Sequence, residues 1–275
     1  MSSTSTTPVT RLSALRLMSF IPPARDAVHV GLLSLDAQQV IDLAPLGISD
    51  ALEALEQLEM LQRAAGAIVH GASRVAFDIQ SVHLVAPIPL ARSVVHDPVT
   101  GAVQFFDPTT LHGPGSSLTR ADAAAARGGL AAVVGATLDA GTVCSDAQID
   151  AALAGSLIVL GWPQVGHDGA AAVTPGALGP FLAVPRRSPE SVIVNRVAPL
   201  SVVPAPDVQL LLPAPDAAAF RGAARAALET HTLRPGDLLT IFPQVPAVSD
   251  GQPMPAGSWV RVSAPGLGTL SLAVR

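Results

Sequence analysis

Leu130-Ala131-Ala132-Val133-Val134-Gly135 is the stretch of this chain that most directly predicts its fold. It is a short run of small and branched apolar residues closed by a glycine, which is typical of a β-strand. Similar runs recur down the chain, separated by residues that form turns. They are Ser156–Leu160, Ser191–Val194, Leu200–Val203, Val208–Leu212, Asp237–Phe242, Trp259–Val262 and Thr269–Val274.

Helices are few beyond Val82. Ser145–Ala154 begins with a serine that can cap a helix, and Asp216–His231 follows a proline. The mixture of many strands and few helices predicts an α+β fold, mostly β, with a barrel-like or multi-sheet core and peripheral helices. We expect this core domain to span residues 81–275.

The preceding part of the chain predicts a small N-terminal domain over residues 13–80. A helix is expected after Asp50, because Asp50 and Glu53 have the spacing of a capping box. Before it, apolar runs separated by turn formers predict an antiparallel meander. The runs are Leu15–Phe20, Val28–Leu35 and Gln38–Leu43.

The N-terminus and the hydropathy predict where the protein resides. Residues 1–12 are rich in Ser and Thr, without the basic and apolar regions of a signal peptide, and we expect a disordered tail. No run reaches the roughly 18 apolar residues of a membrane span. A soluble cytoplasmic protein is therefore predicted.

Composition excludes several classes of function. The chain contains no lysine and no tyrosine, and its formal net charge is −5. A nucleic-acid partner is not expected, because a phosphate backbone requires a basic protein face. The single cysteine, Cys144, excludes an internal disulfide and a multi-cysteine metal site, and fits a small buried apolar residue.

A series of short motifs runs in one order from Leu15 to Leu270. They are Leu15–Phe20, Val40–Leu43, Ala86–Pro89, Phe105–Thr110, Gly113–Gly115, Leu130–Gly135, Leu178–Pro180, Val194–Asn195, Leu233–Leu238 and Gly266–Leu270. In this order they resemble the fumarylacetoacetate hydrolase family. The resemblance implies a small leading domain, a β-rich core, a divalent metal and cleavage or isomerisation of oxo-acids. It also implies a homodimer.

The residues that carry the family's chemistry are replaced. The resemblance places two metal-binding glutamates at Arg127 and Gly129 and an aspartate at Gly161. A divalent ion needs such hard oxygen ligands, and a guanidinium repels it. Asp107 stands at a family lysine, and the substrate-gripping turn reads Ile241-Phe242-Pro243. We therefore predict no metal and no cofactor.

Arg127 is the first candidate for replacing the metal. Its planar, permanently charged guanidinium can bind a carboxylate or an enolate at two points. The alternative is a solvated residue at the start of a strand. Histidines are candidates for proton transfer because they titrate near neutral pH, although a structural or surface role is the alternative for each. The catalytic candidates are His96, Asp107, His112 and His167, and the substrate-binding candidates are Arg127, Trp162, Gln164 and Thr174.

Two functions remain open at this point. In the first, the pocket is repurposed for metal-independent lyase, isomerase or cyclase chemistry through the enolate of an oxo-acid or polyketide-like substrate. In the second, the chain is a catalytically inactive homologue that acts as a binding protein or partner subunit. The joint loss of several catalytic residues favours the second. The replacement of one acid by Arg127 indicates an exchange of charge and makes the first the preferred interpretation of the sequence.

Overall fold

The structure is a computed structural model that describes residues 14–70, 74–97, 100–165, 171–197, 208–243 and 254–275. These residues form strands and α-helices joined by short turns. In chain order they are β1 (Leu15–Ile21), β2 (His29–Leu33), β3 (Gln39–Asp42), α1 (Ala51–Glu56), α2 (Leu58–His70), β4 (Ala76–Asp78), β5 (His83–Val85), β6 (Leu90–His96), β7 (Val103–Thr110), β8 (Ser117–Leu118), α3 (Arg120–Ala125), β9 (Arg127–Val134), α4 (Asp146–Ala152), β10 (Leu153–Val165), β11 (Ala171–Val184), β12 (Ser191–Val197), β13 (Val208–Pro213), α5 (Ala217–Leu228), β14 (Leu238–Ile241), β15 (Trp259–Ala264) and β16 (Gly268–Val274).

The strands assemble into two open sheets. The large sheet has the order β4-β3-β2-β1-β11-β10-β9-β14-β6-β7, and β5 pairs with β1. The small sheet has the order β13-β12-β15-β16-β8. The N-terminal strands continue the large sheet, because β1 pairs with β11 in the register Leu17 to Leu182. The predicted α+β, mostly β architecture is confirmed.

The small sheet covers one face of the large sheet. The close approach depends on Gly128 in β9, because a Cβ built there would lie 2.6 Å from Val194 and 2.9 Å from Val262. Leu130 and Ile158 join Val194 and Val262 in the apolar core between the sheets. A second core lies on the opposite face of the large sheet, where helix α1 packs with Leu55. We call these the inner face and the outer face of the large sheet.

The predicted helix caps at Asp50 and Ser145 are confirmed, although the Glu53 carboxylate accepts from the backbone N–H of Ser49 and not from that of Asp50. The carboxylate of Asp50 accepts a hydrogen bond of 2.9 Å from the backbone N–H of Glu53. Ser145 and Gln148 form a complete capping box at α4, and Asp216 caps α5. No helix in the described ranges is both long enough and apolar enough to cross a membrane.

Some elements depart from the sequence-based expectations. The single helix expected after Asp50 is broken at Gln57 into α1 and α2. The expectation of only two helices in the core domain was wrong, since α3 follows the N-cap Thr119. This helix has six residues, too few to show an apolar period. The predicted strand at Leu200–Val203 lies outside the described residues.

The largest departure among the strands is β11. It continues for 14 residues through Pro175, Gly176, Gly179 and Pro180, which resemble turn signals in the sequence. The strand survives because its register against β10 shifts twice, between Leu160 and Gly161 and between Ser156 and Ile158, where irregularities take up the extra residues of β11. Pairing with β10 along the strand therefore overrides local propensity, and β11 lies beside the candidate site.

Candidate functional site

The candidate site lies where β9 begins and β14 ends. Arg127 of β9 is directly opposite Gly161 of β10, and Gly161 is in turn opposite Pro175 of β11. On the other side of β9, Leu130 pairs with Ile241 at the end of β14. The positions that the resemblance assigns to metal ligands are thus brought to one end of the large sheet.

Alternation along the strands places Arg127, Gly129 and Gly161 on the outer face of this sheet. Successive residues of a strand point to opposite faces, and directly paired residues share a face. Val159, which pairs with Gly129, belongs to the outer core together with Phe242. The glycines therefore face the region that contains the Phe242 ring.

The Phe242 ring fills the space that carboxylates would need. A Cβ built on Gly161 would lie 2.4 Å from Cζ of Phe242 and 2.4 Å from the carbonyl oxygen of Thr174. A Cβ built on Gly129 would lie 2.8 Å from Cδ1 of Phe242 and 2.6 Å from the carbonyl oxygen of Ile241. Both distances to the ring are shorter than a van der Waals contact between carbon atoms. We call Phe242 with Gly129 and Gly161 the aromatic plug.

The aromatic plug does not fit a divalent metal. The plug is apolar, with Phe242 only 6% exposed, and its two glycines carry no side-chain ligand atoms. Among the described residues, no three His, Cys, Asp or Glu side chains are grouped so that they could hold a metal ion. Divalent cations such as Mg²⁺ require oxygen ligands, and this position offers a phenyl ring in their place.

Arg127 is exposed beside the plug. Its side chain forms no hydrogen bond or ion pair with any other described residue. The chain just before it is held by Arg196, which donates hydrogen bonds of 3.0 Å to the carbonyl of Ala124 and 3.2 Å to that of Ala126. Burial lowers the pKa of the Arg196 guanidinium. Arg127 therefore presents a solvated cation on a fixed strand end.

Trp162, Thr174 and His112 gather on the inner face. Trp162 is directly opposite Thr174, and a Cβ built on Gly176 would lie 2.0 Å from Cη2 of the indole. The indole therefore lies against β11 where a side chain is absent. The backbone N–H of His112 donates to the carbonyl of Gly176 at 2.9 Å, and the His112 ring centroid is 6.3 Å from that of Trp162.

Thr174 is the polar group of this inner cluster. Its hydroxyl is buried and has no hydrogen-bond partner, while the residue is only 4% exposed. Trp162 is buried as well, whereas His112 is exposed to solvent. By alternation these side chains and Arg127 lie on opposite faces of the sheet, so the sequence-predicted residues do not converge on one point.

His96 ends β6 beside Ile241, which precedes the plug. Its Nδ1 atom is buried without a hydrogen-bond partner. Burial lowers the pKa of the imidazole, and the neighbouring Asp97 carboxylate opposes this shift. Ile241 belongs to the inner core, so its partner His96 also faces the inner side, away from Arg127.

Three further sequence candidates are placed only in part or not at all. Asp107 lies in β7 and Gln164 in β10, opposite Ala172, but their side chains fall outside the described part of the structure. His167 lies outside the described residues. Their proposed roles stay predictions.

Sequence reasoning missed the residue that dominates the site. The sequence shows Phe242 only as a change in the substrate-gripping turn, and no pattern in it points to Arg196 or Gly176. The sequence does contain a signal. Gly129 and Gly161 stand where the family has acidic residues, and an aromatic residue, Phe242, stands in the substrate-gripping turn far away in the chain. This signal could not be interpreted without the register that brings Phe242 to Gly129 and Gly161.

Comparison with known proteins supports the fold through structure alone. No protein-family model matches the sequence, and no curated protein matches it. Solved structures do match over nearly the whole chain. Maleylpyruvate hydrolase from Sphingobium sp. SYK-6 has a TM-score of 0.68 and 17% identity, covering 94% of this chain and 98% of that one. That enzyme has also been crystallised with manganese(II) and pyruvate.

Two further solved structures show the same likeness. 5-Carboxymethyl-2-hydroxymuconate delta-isomerase from Mycobacterium smegmatis has a TM-score of 0.61 and 18% identity, covering 94% of this chain and 98% of that one. Fumarylacetoacetate hydrolase from Exiguobacterium antarcticum has a TM-score of 0.64 and 15% identity, covering 95% and 99%. This chain therefore has the fold of fumarylacetoacetate hydrolase-type proteins, among which are hydrolases and isomerases. The predicted resemblance is confirmed at the level of the fold.

Proposed function

We propose that this chain is a catalytically inactive protein of the fumarylacetoacetate hydrolase fold that acts as a binding protein or as the partner subunit of another protein. The observation that supports this proposal is the aromatic plug. Phe242 takes the space that side chains at Gly129 and Gly161 would need. Metal-dependent hydrolysis of the kind implied by the fold has no ligand set among the residues that the structure describes.

The plug also argues against simple decay of an active site. Loss of the two carboxylates alone would leave a cavity, and a cavity in a protein core lowers the free energy of unfolding. Phe242 fills this one, and burying a phenylalanine side chain contributes about 1.5–3 kcal/mol. The site is therefore stable without a metal, which suits a protein that keeps the fold for binding.

The positions of the two candidate bases that the structure describes, His96 and His112, agree with an inactive protein. A general base must come within hydrogen-bond reach of its substrate proton. His96 and His112 lie on the inner face, whereas Arg127 and the plug lie on the outer face. A substrate held by Arg127 would have the sheet between itself and either imidazole.

Metal-independent chemistry through an enolate is the second candidate function. It is favoured by the exposed guanidinium of Arg127, directly opposite Gly161 and next to the plug. An oxo-acid or a polyketide-like substrate could place its carboxylate on this guanidinium. A charged hydrogen bond of this kind contributes about 1.5–3 kcal/mol.

The two candidates are separated by turnover and binding assays on the same protein. Wild type, Arg127→Ala and the exposed control Arg25→Ala are incubated with oxaloacetate and acylpyruvates, with chelator or with added Mn²⁺. The proposal predicts no turnover under either condition. Turnover in chelator that is lost in Arg127→Ala would establish the second function, and turnover that needs Mn²⁺ would overturn both.

Calorimetry on these variants tests Arg127 as an anion anchor. If wild type binds an oxo-acid, Arg127→Ala should bind it more weakly, and Arg127→Lys should recover only part of the loss because an ammonium lacks the planar fork. Equal binding by wild type and Arg127→Ala would refute this role.

The cytoplasmic location stays a prediction.

A further inference from the structure

A cavity of about 720 Å³ lies at the opposite end of β11 from the aromatic plug. It is formed by the connection between β11 and β12 and by the turn between β15 and β16. Thr174 lies near the start of β11 and Pro185 follows its last residue, roughly 35 Å apart along an extended strand. The lining residues are Pro185, Arg186, Arg187, Ser188, Pro189, Glu190, Ser191, Pro265 and Gly266.

The wall of the cavity is fixed from behind by Ser156. The buried hydroxyl of Ser156 accepts a 2.7 Å hydrogen bond from the Arg187 N–H and donates a 3.0 Å hydrogen bond to the Arg187 carbonyl. Prolines at Pro185, Pro189 and Pro265 restrict the backbone around it. A ligand would therefore meet a largely preformed surface and would lose little binding energy to ordering the protein.

Arg186 joins this wall to a network of charges. Its Nη2 atom donates to Asp150 at 2.9 Å, and its guanidinium lies over the Phe220 ring at 5.6 Å. Asp150 also accepts from Arg221, which reaches Asp146 as well. Arg225 forms a further ion pair with Asp146. Three arginines thus share two aspartates, which leaves a surplus of positive charge behind the cavity.

Several hydrogen-bond donors of the cavity are free. Nη1 of Arg186 is buried without a partner. The side chains of Arg187, Ser188 and Ser191 form no hydrogen bond with any other described residue. Burial lowers the pKa of the Arg186 guanidinium, and Arg221 adds to this effect while Asp150 opposes it. An anion bound in the cavity would stabilise the charged form of the Arg186 guanidinium.

We infer that this cavity binds the anionic group of a small molecule, a phosphate or a carboxylate, through Arg187 and the hydroxyls of Ser188 and Ser191. Guanidinium and hydroxyl donors are the groups that recognise oxyanions in proteins. Glu190 is the one acidic side chain in the lining, and its carboxylate repels the ligand. The site is separate from the plug and does not depend on the function proposed there.

Titration of the full chain with inorganic phosphate and, separately, with citrate tests this inference. Backbone amide shifts are followed by NMR at constant ionic strength. We expect saturable shifts confined to the amides of the lining residues that carry an N–H, which are Arg186, Arg187, Ser188, Glu190, Ser191 and Gly266. Saturation by phosphate alone, by citrate alone or by both supports the site and identifies which oxyanion it prefers. No saturation by either probe overturns it.

Matched variants locate the binding. Arg187→Gln should weaken affinity about tenfold or more, the factor expected for a lost charged hydrogen bond. Glu190→Gln should tighten it about two- to fivefold, because a like charge is removed. Arg25→Gln, another exposed arginine, should bind like wild type. Unchanged affinity in Arg187→Gln refutes the assignment.

Thermal melting of each variant checks that it is folded. Arg187 and Glu190 are exposed, so their substitution is expected to leave the melting temperature unchanged. If Arg187→Gln failed to fold, Glu190→Gln and Ser191→Ala would test the site in its place. Glu190→Gln should tighten anion binding because it removes a like charge, and Ser191→Ala should weaken it because it removes a donor. Changes in the same direction, or none, would overturn the inference.

Discussion

Phe242→Ala is the perturbation that tests the aromatic plug most directly. Phe242 is 6% exposed, and its ring contacts positions 129 and 161, where glycines have no side chain that could move into the space left behind. Phenylalanine-to-alanine changes in cores cost about 3–5 kcal/mol, and the cost rises when the cavity cannot collapse. We therefore expect a loss of about 4 kcal/mol in the free energy of unfolding.

Urea unfolding measures this loss, as a lower midpoint with an unchanged slope. The sharper test is a double-mutant cycle with Gly161→Ala. A methyl at position 161 would clash with the Phe242 ring in wild type, so the substitution should cost less in the Phe242→Ala background. Part of the cost should persist, because the Thr174 carbonyl oxygen also lies 2.4 Å from the new Cβ.

Phe181→Ala is the matched control, because Phe181 is also 6% exposed but belongs to the inner core. Gly161→Ala should cost the same in the Phe181→Ala background as in wild type. If the costs of Phe242→Ala and Gly161→Ala simply add, within about 0.5 kcal/mol, the plug does not exist as described.

Three further predictions concern metal content, assembly and pH. Elemental analysis of protein purified without chelator should find no Mg, Mn or Ca in molar proportion to the chain, and about one ion per chain would contradict the assignment of Gly129 and Gly161. Light scattering at micromolar concentration should give the mass of a homodimer formed through the β-rich core, as expected for an apolar chain with 13% charged residues, and a monomer mass would rule this out. Because the pKa of His96 is lowered in the folded protein, the unfolded state binds more protons, so unfolding free energy should fall as the pH drops below about 6.5. His96→Gln should show a smaller fall, measured by urea unfolding at several pH values, and identical pH dependence would refute the role of His96.

The sequence alone determined the features that depend on neighbouring residues. Helix starts at Asp50 and Ser145 were predictable because a cap is a hydrogen bond between residues three apart, and the start at Asp216 was predictable from the proline before it. Strands such as β9 and β16 were predictable because their apolar runs are continuous. The order of motifs also indicated the fold, and the loss of acidic residues at the metal positions is visible in the sequence itself.

Only the tertiary structure decided what occupies those positions. Phe242 is more than a hundred residues from Gly129 in the chain, and the two meet because β14 pairs with β9 in one particular register. The pairing of β9 with β10, in which Arg127 is opposite Gly161, places Arg127 and Trp162 on opposite faces. A shift of one residue in any strand would exchange these faces, and no local pattern specifies such a register. The site is therefore a property of strand pairing between distant segments, which the order of residues does not display.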